Sequence, residues 1–236
     1  MEPTYFTKTI VLARRPFREN DVMVTVYSAD KGKLDLVGRG AKKISSRLAA
    51  HLEPITLSNM MIVRGRQFDY VGAATSLACF PRLKSDLEKV TVAGRAINIF
   101  NKITKPEQTD YQIFRLLLEF LRFLDETEEK EDYDLFYYFF LLKFLSALGH
   151  KPELFYCVGC QKKIKMANHY FSLDKGGLVC PSCVPQKQRL AISVDCIKVL
   201  RLILDREFKV LAKIKINNGL NIELKKVINS FCRYIF

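Results

Sequence analysis

The segment DVMVTVYSADKGKLDLVGRG, residues 21–40, consists of two runs of strand-favouring residues joined by a tight turn at Asp30, Lys31 and Gly32. Three more runs are rich in Val, Ile, Thr and aromatic residues, at residues 5–13, 54–63 and 68–77. Five short strands within the first 80 residues match a small closed barrel of the OB type. An SH3-like barrel or an open sheet also fits this spacing, so both stay open as alternatives.

From about residue 83 the apolar residues recur with a helical period. Ser85 followed by Glu88 predicts a capping box at the start of one helix. The next helix is indicated by an apolar stripe at Ile113, Leu117, Phe120, Leu121 and Leu124. Residues 135–148 are almost entirely apolar but too few to span a bilayer, which predicts a buried helix capped by Gly149. Ser193 is the predicted cap of an amphipathic helix, and a further amphipathic helix closes the chain.

Four of the seven cysteines form two Cys-x2-Cys pairs, Cys157 with Cys160 and Cys180 with Cys183, separated by nineteen residues. This spacing is typical of a four-thiolate zinc site, in which each pair directs two thiolates toward one ion. Gly159 relieves the tight backbone of the first pair. We therefore predict one structural Zn²⁺ ion, held by a module at about residues 155–186.

These features predict an α+β multidomain protein. Its N-terminal OB-type β-barrel occupies residues 1–80, and residues 81–236 form a helical bundle domain that carries the inserted four-cysteine zinc module. His169 lies between the two cysteine pairs and is predicted to be a surface residue and only a substitute ligand. Cys79, Cys196 and Cys232 stand in apolar patterns, which predicts that they pack in the core.

Catalytic interpretations of the cysteines fit less well. A thioredoxin-like pair lies where a strand enters a helix, and neither pair has that setting. A catalytic zinc keeps one position open for water, whereas four thiolates fill the tetrahedron. The sequence contains neither the His-x-Glu of nucleobase deaminases nor a Gly-rich phosphate-binding motif. We expect that the protein is not an enzyme.

The formal net charge of +13 is unevenly distributed. Residues 1–80 contain 12 Lys and Arg against 7 Asp and Glu, residues 81–150 contain 10 against 12, and residues 151–236 contain 16 against 6. The two basic ends of the chain indicate that the protein binds a polyanion. The alternative is that the protein is soluble and generally basic without such a partner. Residues 1–15 do not have the pattern of a signal peptide, so we expect a cytoplasmic, nucleoid-associated protein with reduced cysteines and no membrane partner.

Basic residues gather where the predicted strands end. Arg39 lies between two glycines that allow the backbone to turn sharply toward a ligand. On one rim of a closed barrel such loops form a groove that neutralises a sugar–phosphate backbone, and scattered solvated cations are the alternative. The candidate nucleic-acid-binding residues are Arg14, Arg39, Lys42, Lys43, Arg47, Arg64 and Arg66. Aromatic residues of the strands fit core packing at least as well as base stacking, so no base contact is predicted.

Residues 9–54, TIVLARRPFRENDVMVTVYSADKGKLDLVGRGAKKISSRLAAHLEP, resemble the N-terminal domain of the RecO recombination-mediator proteins of bacteria. The similarity lies in the strand ending in Val-Leu, the END that leads into VMVTVYS, the turn DKGK and the block GRGAKK. The cysteine segment, with Tyr156-Cys157 and GGLVC, resembles the zinc module that many members of this family carry.

The resemblance implies an OB-fold domain and a helical domain that bind single- and double-stranded DNA and anneal complementary strands. It implies that the protein acts with RecR and with the acidic tail of single-strand binding protein to promote loading of RecA. Arg39, Lys42, Lys43 and Arg47 match the basic block of the family, and Lys33 and Arg14 lie where DNA contacts are expected. The alternative functions are a zinc nuclease or modification enzyme, and a scaffold that touches DNA incidentally.

Overall fold

The computed structural model describes residues 4–106, 108–127, 132–165, 167, 169–184 and 189–236. These residues form two compact units, Met1–Glu128 and Glu129–Phe236. The packing therefore divides the chain later than the predicted domain boundary at residue 80. None of the helices within the described ranges is long and apolar enough to cross a lipid bilayer.

Five strands of the first unit close into a barrel in the order β1-β2-β3-β5-β4. The strands are β1 (Thr4–Pro16), β2 (Val22–Ser28), β3 (Gly32–Gly38), β4 (Leu57–Val63) and β5 (Asp69–Ala78). Neighbouring strands are antiparallel except β3 and β5, which run parallel where Val37 pairs with Tyr70. All five predicted strands are present and the sheet is closed, which confirms the OB-type barrel and excludes the open sheet.

The interior of the barrel is filled by aliphatic side chains that alternate along the strands, as expected for a sheet with one face buried. The core residues are Val11, Val22, Val24, Val26, Leu36, Ala41, Leu52, Met60, Ile62 and Val71. Tyr27 points to the opposite face of β2 but is also fully buried, because its ring packs edge to face on Phe100 at 4.9 Å. Part of the outer face of the barrel is therefore covered by the same unit.

That covering comes from α2 (Leu87–Ile103), which carries Phe100 and packs with α1 (Pro81–Lys84) and α3 (Tyr111–Glu126) of the same unit. The predicted capping box at Ser85 is wrong by one residue: the Asp86 carboxylate accepts hydrogen bonds from the N–H groups of Glu88 and Lys89. Ser85 instead ends the short helix α1, which was not predicted. The predicted apolar stripe of α3 is confirmed, since all five of its residues are buried.

The second unit is built around α4 (Tyr133–Ala147), which is apolar on all sides and buries large aromatic residues such as Phe140 and Phe144. It packs with α5 (Val194–Asp205) and α7 (Asn218–Ile235), while the short helix α6 (Phe208–Leu211) follows α5. Gly149, with φ of 91°, follows α4 as predicted. Ser193 caps α5 as predicted and also hydrogen-bonds to Glu223 of α7, which ties the two helices together.

A small three-stranded sheet in the second unit supports the cysteine module. It consists of β6 (His169–Ser172), β7 (Gly177–Val179) and β8 (Arg189–Ile192) in the order β7-β6-β8. Both neighbouring pairs are antiparallel. Because β7 ends at Val179, it delivers Cys180 directly to the site.

Candidate metal centre and nucleic-acid interface

The four cysteines predicted to bind metal come together in space. The Sγ atoms of Cys157, Cys160, Cys180 and Cys183 all lie within 4.8 Å of one another, and those of Cys160 and Cys180 are 3.8 Å apart. Four thiolates at the usual Zn–S bond length of about 2.3 Å form a tetrahedron whose edges are about 3.8 Å. The cluster therefore has the size and the donor set that a tetrahedral thiolate metal ion requires.

The first cysteine pair is held by a tight backbone turn. The N–H of Gln161 donates to the carbonyl of Cys157 at 2.8 Å, and the N–H of Cys157 donates to the carbonyl of Lys162 at 2.8 Å. Gly159 is needed in this turn because the second pair packs against it: a Cβ atom at Gly159 would lie 2.9 Å from the Cβ of Cys183. The sequence indicated the glycine, and the structure supplies the reason.

The thiols of the cluster differ in acidity. Burial raises the pKa of Cys157, but the backbone N–H groups of Cys180, Cys160 and Gly159 outweigh it and lower that pKa to about 6. Hydrogen bonding with the thiols of Cys180 and Cys160 raises the pKa of Cys183 to about 12. Because a metal ion binds the thiolate form, it would displace the proton that Cys183 holds, so metal affinity and thiol ionisation are coupled.

Two sequence predictions about nearby side chains are wrong. His169 is buried and not a surface residue, and its Nε2 lies 2.8 Å from the carbonyl of Lys165, away from the four-sulfur cluster. Cys79 is exposed, because it follows the last strand of the barrel and does not enter the core. Cys196 and Cys232 are buried as predicted, and burial raises the pKa of the Cys196 thiol.

The basic block after β3 forms a loop whose backbone is fixed. Gly40 has a φ of 63°, in the left-handed region that glycine readily adopts, and its N–H donates to the Asp21 carboxylate at 2.8 Å. The N–H of Lys42 donates to the carbonyl of Asn20 at 3.0 Å, and the N–H of Lys43 donates to the carbonyl of Gly40 at 3.0 Å. The loop is therefore held against the β1–β2 connection.

The β4–β5 hairpin meets the same region. Phe68 of this hairpin packs edge to face on Phe17 of the β1–β2 connection, with ring centroids 5.3 Å apart. The Arg39 guanidinium lies 3.8 Å from the centroid of the Tyr70 ring, at the start of β5. Residues 17–21, 39–47 and 64–68 thus adjoin, and we call them together the three-loop surface. In OB barrels the β1–β2 and β4–β5 loops flank the site that binds oligonucleotides.

Most of the predicted nucleic-acid-binding residues are exposed on the three-loop surface. They are Arg39, Lys42, Lys43, Arg47, Arg64 and Arg66. Sequence reasoning missed Phe17 and Arg18, although the position of the β1–β2 connection in the predicted barrel was the signal for them. The Arg18 guanidinium lies 5.2 Å from the centroid of the Phe17 ring, and the carbonyl of Arg18 accepts a hydrogen bond from Lys42 Nζ at 3.0 Å.

The other two candidate residues are engaged within the first unit. Arg14 donates to the carbonyls of Ala41 and Ala49 and forms an ion pair with Glu53. Lys33 donates from Nζ to the carbonyl of Asn101, near the end of α2, at 2.8 Å. These contacts tie loops and helices to the barrel, and DNA binding by either residue stays a prediction.

Comparison with known proteins assigns the whole chain to one family. The family model described as "Recombination protein O N terminal" matches residues 1–80, and the model described as "Recombination protein O C terminal" matches residues 84–235. A Dehalococcoides mccartyi protein is 28% identical over 97% of this chain and 89% of its own length, and a Roseiflexus sp. protein is 30% identical over 98% and 81%. A Desulforamulus reducens protein is 28% identical over 98% and 89%. All three relatives bear the name "DNA repair protein RecO". The chain therefore belongs to the RecO family of recombination proteins.

Proposed function

We propose that this protein binds DNA and anneals complementary strands as a non-enzymatic mediator of recombinational DNA repair. The observation that carries this proposal is the three-loop surface, where six exposed predicted cations and several aromatic rings lie on the ligand-binding side of an OB barrel. The names of the relatives support the assignment to DNA repair.

The chemistry of the three-loop surface suits a DNA strand. Exposed lysines and arginines displace condensed counterions from phosphates, which supplies affinity that does not depend on sequence. Arg39 is already placed on the Tyr70 ring, so it loses little side-chain freedom when a phosphate arrives. Phe17 and Phe68 offer aromatic surface beside these cations, on which bases stack with little regard to their identity.

We propose that the metal in the cysteine cluster is one structural Zn²⁺ ion. Four cysteine sulfurs within 4.8 Å of one another provide the donor set that zinc prefers in structural sites. All four positions of the tetrahedron are then protein ligands, so the ion supplies folding energy and has no open position for water. Divalent-metal-dependent cleavage of labelled DNA by the purified protein would overturn the non-enzymatic assignment.

The proposed partners are RecR and single-strand binding protein, with RecA loading as the outcome. A cavity of about 610 Å³ in the second unit supports binding of single-strand binding protein. Its lining combines the apolar residues Phe155 and Leu202 with three cations, Lys151, Lys198 and Arg201, and one carboxylate, Asp205. Arg201 is held in place, since it stacks over Phe155 at 4.5 Å and donates to the carbonyl of Leu154. An acidic peptide with an apolar end fits this combination of surfaces.

The cavity assignment has a direct test. The acidic C-terminal peptide of single-strand binding protein should bind the parent protein, and Lys151→Glu with Lys198→Glu should abolish that binding. Lys226→Glu, at an exposed position of α7, is the control and should retain it. Equal peptide affinity for all three proteins would place the acidic tail elsewhere.

The main test is annealing of two complementary fluorescent oligonucleotides, one coated with single-strand binding protein, over a salt series without ATP. The parent should anneal them rapidly, and the triple variant Arg39→Ala, Lys42→Ala, Lys43→Ala should not. For the triple variant, the slope of log affinity for single strands against log salt should be shallower by about 2, because each lost phosphate contact reduces the slope by about 0.7. The matched control removes three exposed cations from the helices of the same unit, at Lys102, Arg115 and Arg122. Equal effects of the two triple variants would refute the three-loop surface as the DNA site.

A further inference from the structure

Ile44 stands out on the three-loop surface because its side chain has no contact that removes it from water. Its exposure is 108% of the reference value, the highest of the large hydrophobic residues that are exposed in the described part of the chain. Lys42, Lys43 and Arg47, all exposed, surround it in the sequence. A single exposed apolar residue is ordinary on a protein surface, so its position and its support decide what it does.

The backbone on both sides of Ile44 is fixed. Before it, the N–H of Lys43 donates to the carbonyl of Gly40 at 3.0 Å; after it, the N–H of Ser46 donates to the carbonyl of Lys43 at 2.9 Å. The N–H of Leu48 then donates to the Ser46 hydroxyl at 3.3 Å. Ile44 therefore lies at the tip of a hydrogen-bonded turn. Its β-branched side chain adds stiffness, because branching restricts rotation at χ1.

Ile44 directly follows two exposed cations in the chain, Lys42 and Lys43. Lysines at positions 42 and 43 draw phosphates to the loop, and the apolar surface that nucleic acid offers beside its phosphates is the sugar and the faces of the bases. Proteins that bend or open nucleic acid insert apolar residues, isoleucine among them, between neighbouring bases. A stiff apolar tip among phosphate-binding lysines has the chemistry of such a wedge.

We propose that Ile44 inserts between two neighbouring bases of a DNA strand bound to the three-loop surface and breaks their stacking. This inference rests on the proposed DNA binding and adds a positioning residue to it. When two neighbouring bases of a strand are no longer stacked, their hydrogen-bonding edges are more accessible. A complementary strand can then pair with these bases. The lysines hold the backbone, and Ile44 determines how the bases are displayed.

The test uses single-stranded oligonucleotides that carry 2-aminopurine, whose fluorescence rises when the base is unstacked. The parent protein should raise the fluorescence on binding, and Ile44→Ser should bind without raising it. Affinity should fall about tenfold to a hundredfold in Ile44→Ser, the range expected when one isoleucine is no longer buried. The slope of log affinity against log salt should not change, because no charge is removed, whereas Lys43→Ala should make it shallower by about 0.7.

Two further variants sharpen the result. Ile44→Leu keeps an apolar tip and should retain most of the fluorescence rise, while Ile222→Ser removes another exposed isoleucine, on α7, and should behave like the parent. An unchanged fluorescence rise in Ile44→Ser overturns the wedge and leaves the proposed function standing. The wedge is also overturned, and the proposed function retained, if Ile44→Ser binds bare DNA normally but fails to anneal coated strands, since Ile44 would then contact the coating protein. A parent protein without salt-sensitive DNA binding overturns the proposed function itself.

Discussion

Replacing Gly159 by alanine should weaken metal binding by the four cysteines without removing any of them. The added Cβ would lie 2.9 Å from the Cβ of Cys183, 3.3 Å from its Sγ and 3.7 Å from the Sγ of Cys157. Carbon atoms in contact prefer separations of about 3.5–4.0 Å, so the two cysteine pairs must move apart by about 0.6 Å. Metal–ligand distances in a working site hold to about 0.2 Å, and the shift exceeds that tolerance.

The magnitude follows from the packing. Inserting a methyl group into a filled site costs about 1–3 kcal/mol. Because metal binding and local folding are coupled, this cost should lower metal affinity by about tenfold to a hundredfold. The second unit should also melt earlier. Competition with a chromophoric chelator measures the affinity, and the absorption of the Co²⁺-substituted protein reports whether all four thiolates still bind.

Gly219→Ala is the matched control in the same unit. The nearest atom to its added Cβ is Asn217 Oδ1, at an ordinary distance of 3.6 Å. Gly219 lies in the first turn of α7, so alanine should stabilise that helix by about 0.5–1 kcal/mol. If Gly159→Ala binds Co²⁺ and zinc as tightly as Gly219→Ala does, the close packing of the two cysteine pairs does not determine metal binding and the reasoning is wrong.

Three further predictions concern stability. Burial raises the pKa of Tyr27 from 10.0 to about 12, so the folded state holds this proton more tightly: the stability that depends on it is complete below pH 10 and is lost as the pH rises toward 12. The free energy of unfolding in urea should therefore fall more steeply between pH 10 and 12 in the parent than in Tyr27→Phe. Parallel curves of this free energy against pH would contradict the assignment. Lys33→Met removes the hydrogen bond to the Asn101 carbonyl and should lower the free energy of unfolding by about 1 kcal/mol; a shallower salt slope of DNA binding in the same variant would show that Lys33 also contacts DNA, and an unchanged slope would contradict that contact. Ser193→Ala removes the cap of α5 and the hydroxyl partner of Glu223, so it should destabilise the second unit by about 1–2 kcal/mol in thermal melts, while Ser85→Ala, which removes no helix N-cap, should change little.

Local patterns in the sequence predicted the barrel strands and the long helices but not the short helix α1. Alternating β-branched and aromatic residues specify the five strands, and apolar spacing of three and four residues specifies α3. The spacing of the cysteines predicted that their sulfurs meet, because two short knuckles can each direct two ligands to one point. The caps of α5 and α4 were also predictable, since Ser193 and Gly149 act on backbone groups only a few residues away.

The tertiary structure alone decided which contacts the basic side chains make within the protein. Arg14 and Lys33 look no different from Arg39 in the sequence, yet they donate hydrogen bonds to carbonyls of distant residues, Ala49 and Asn101. Barrel closure brings the β1–β2 connection beside the β4–β5 hairpin, so Phe17 joins a surface that no local pattern marks. The physical reason is the sequence distance between interacting residues. A strand or a helix cap depends on neighbours along the chain, whereas a lysine or arginine side chain contacts residues from distant segments that come close only when the chain folds.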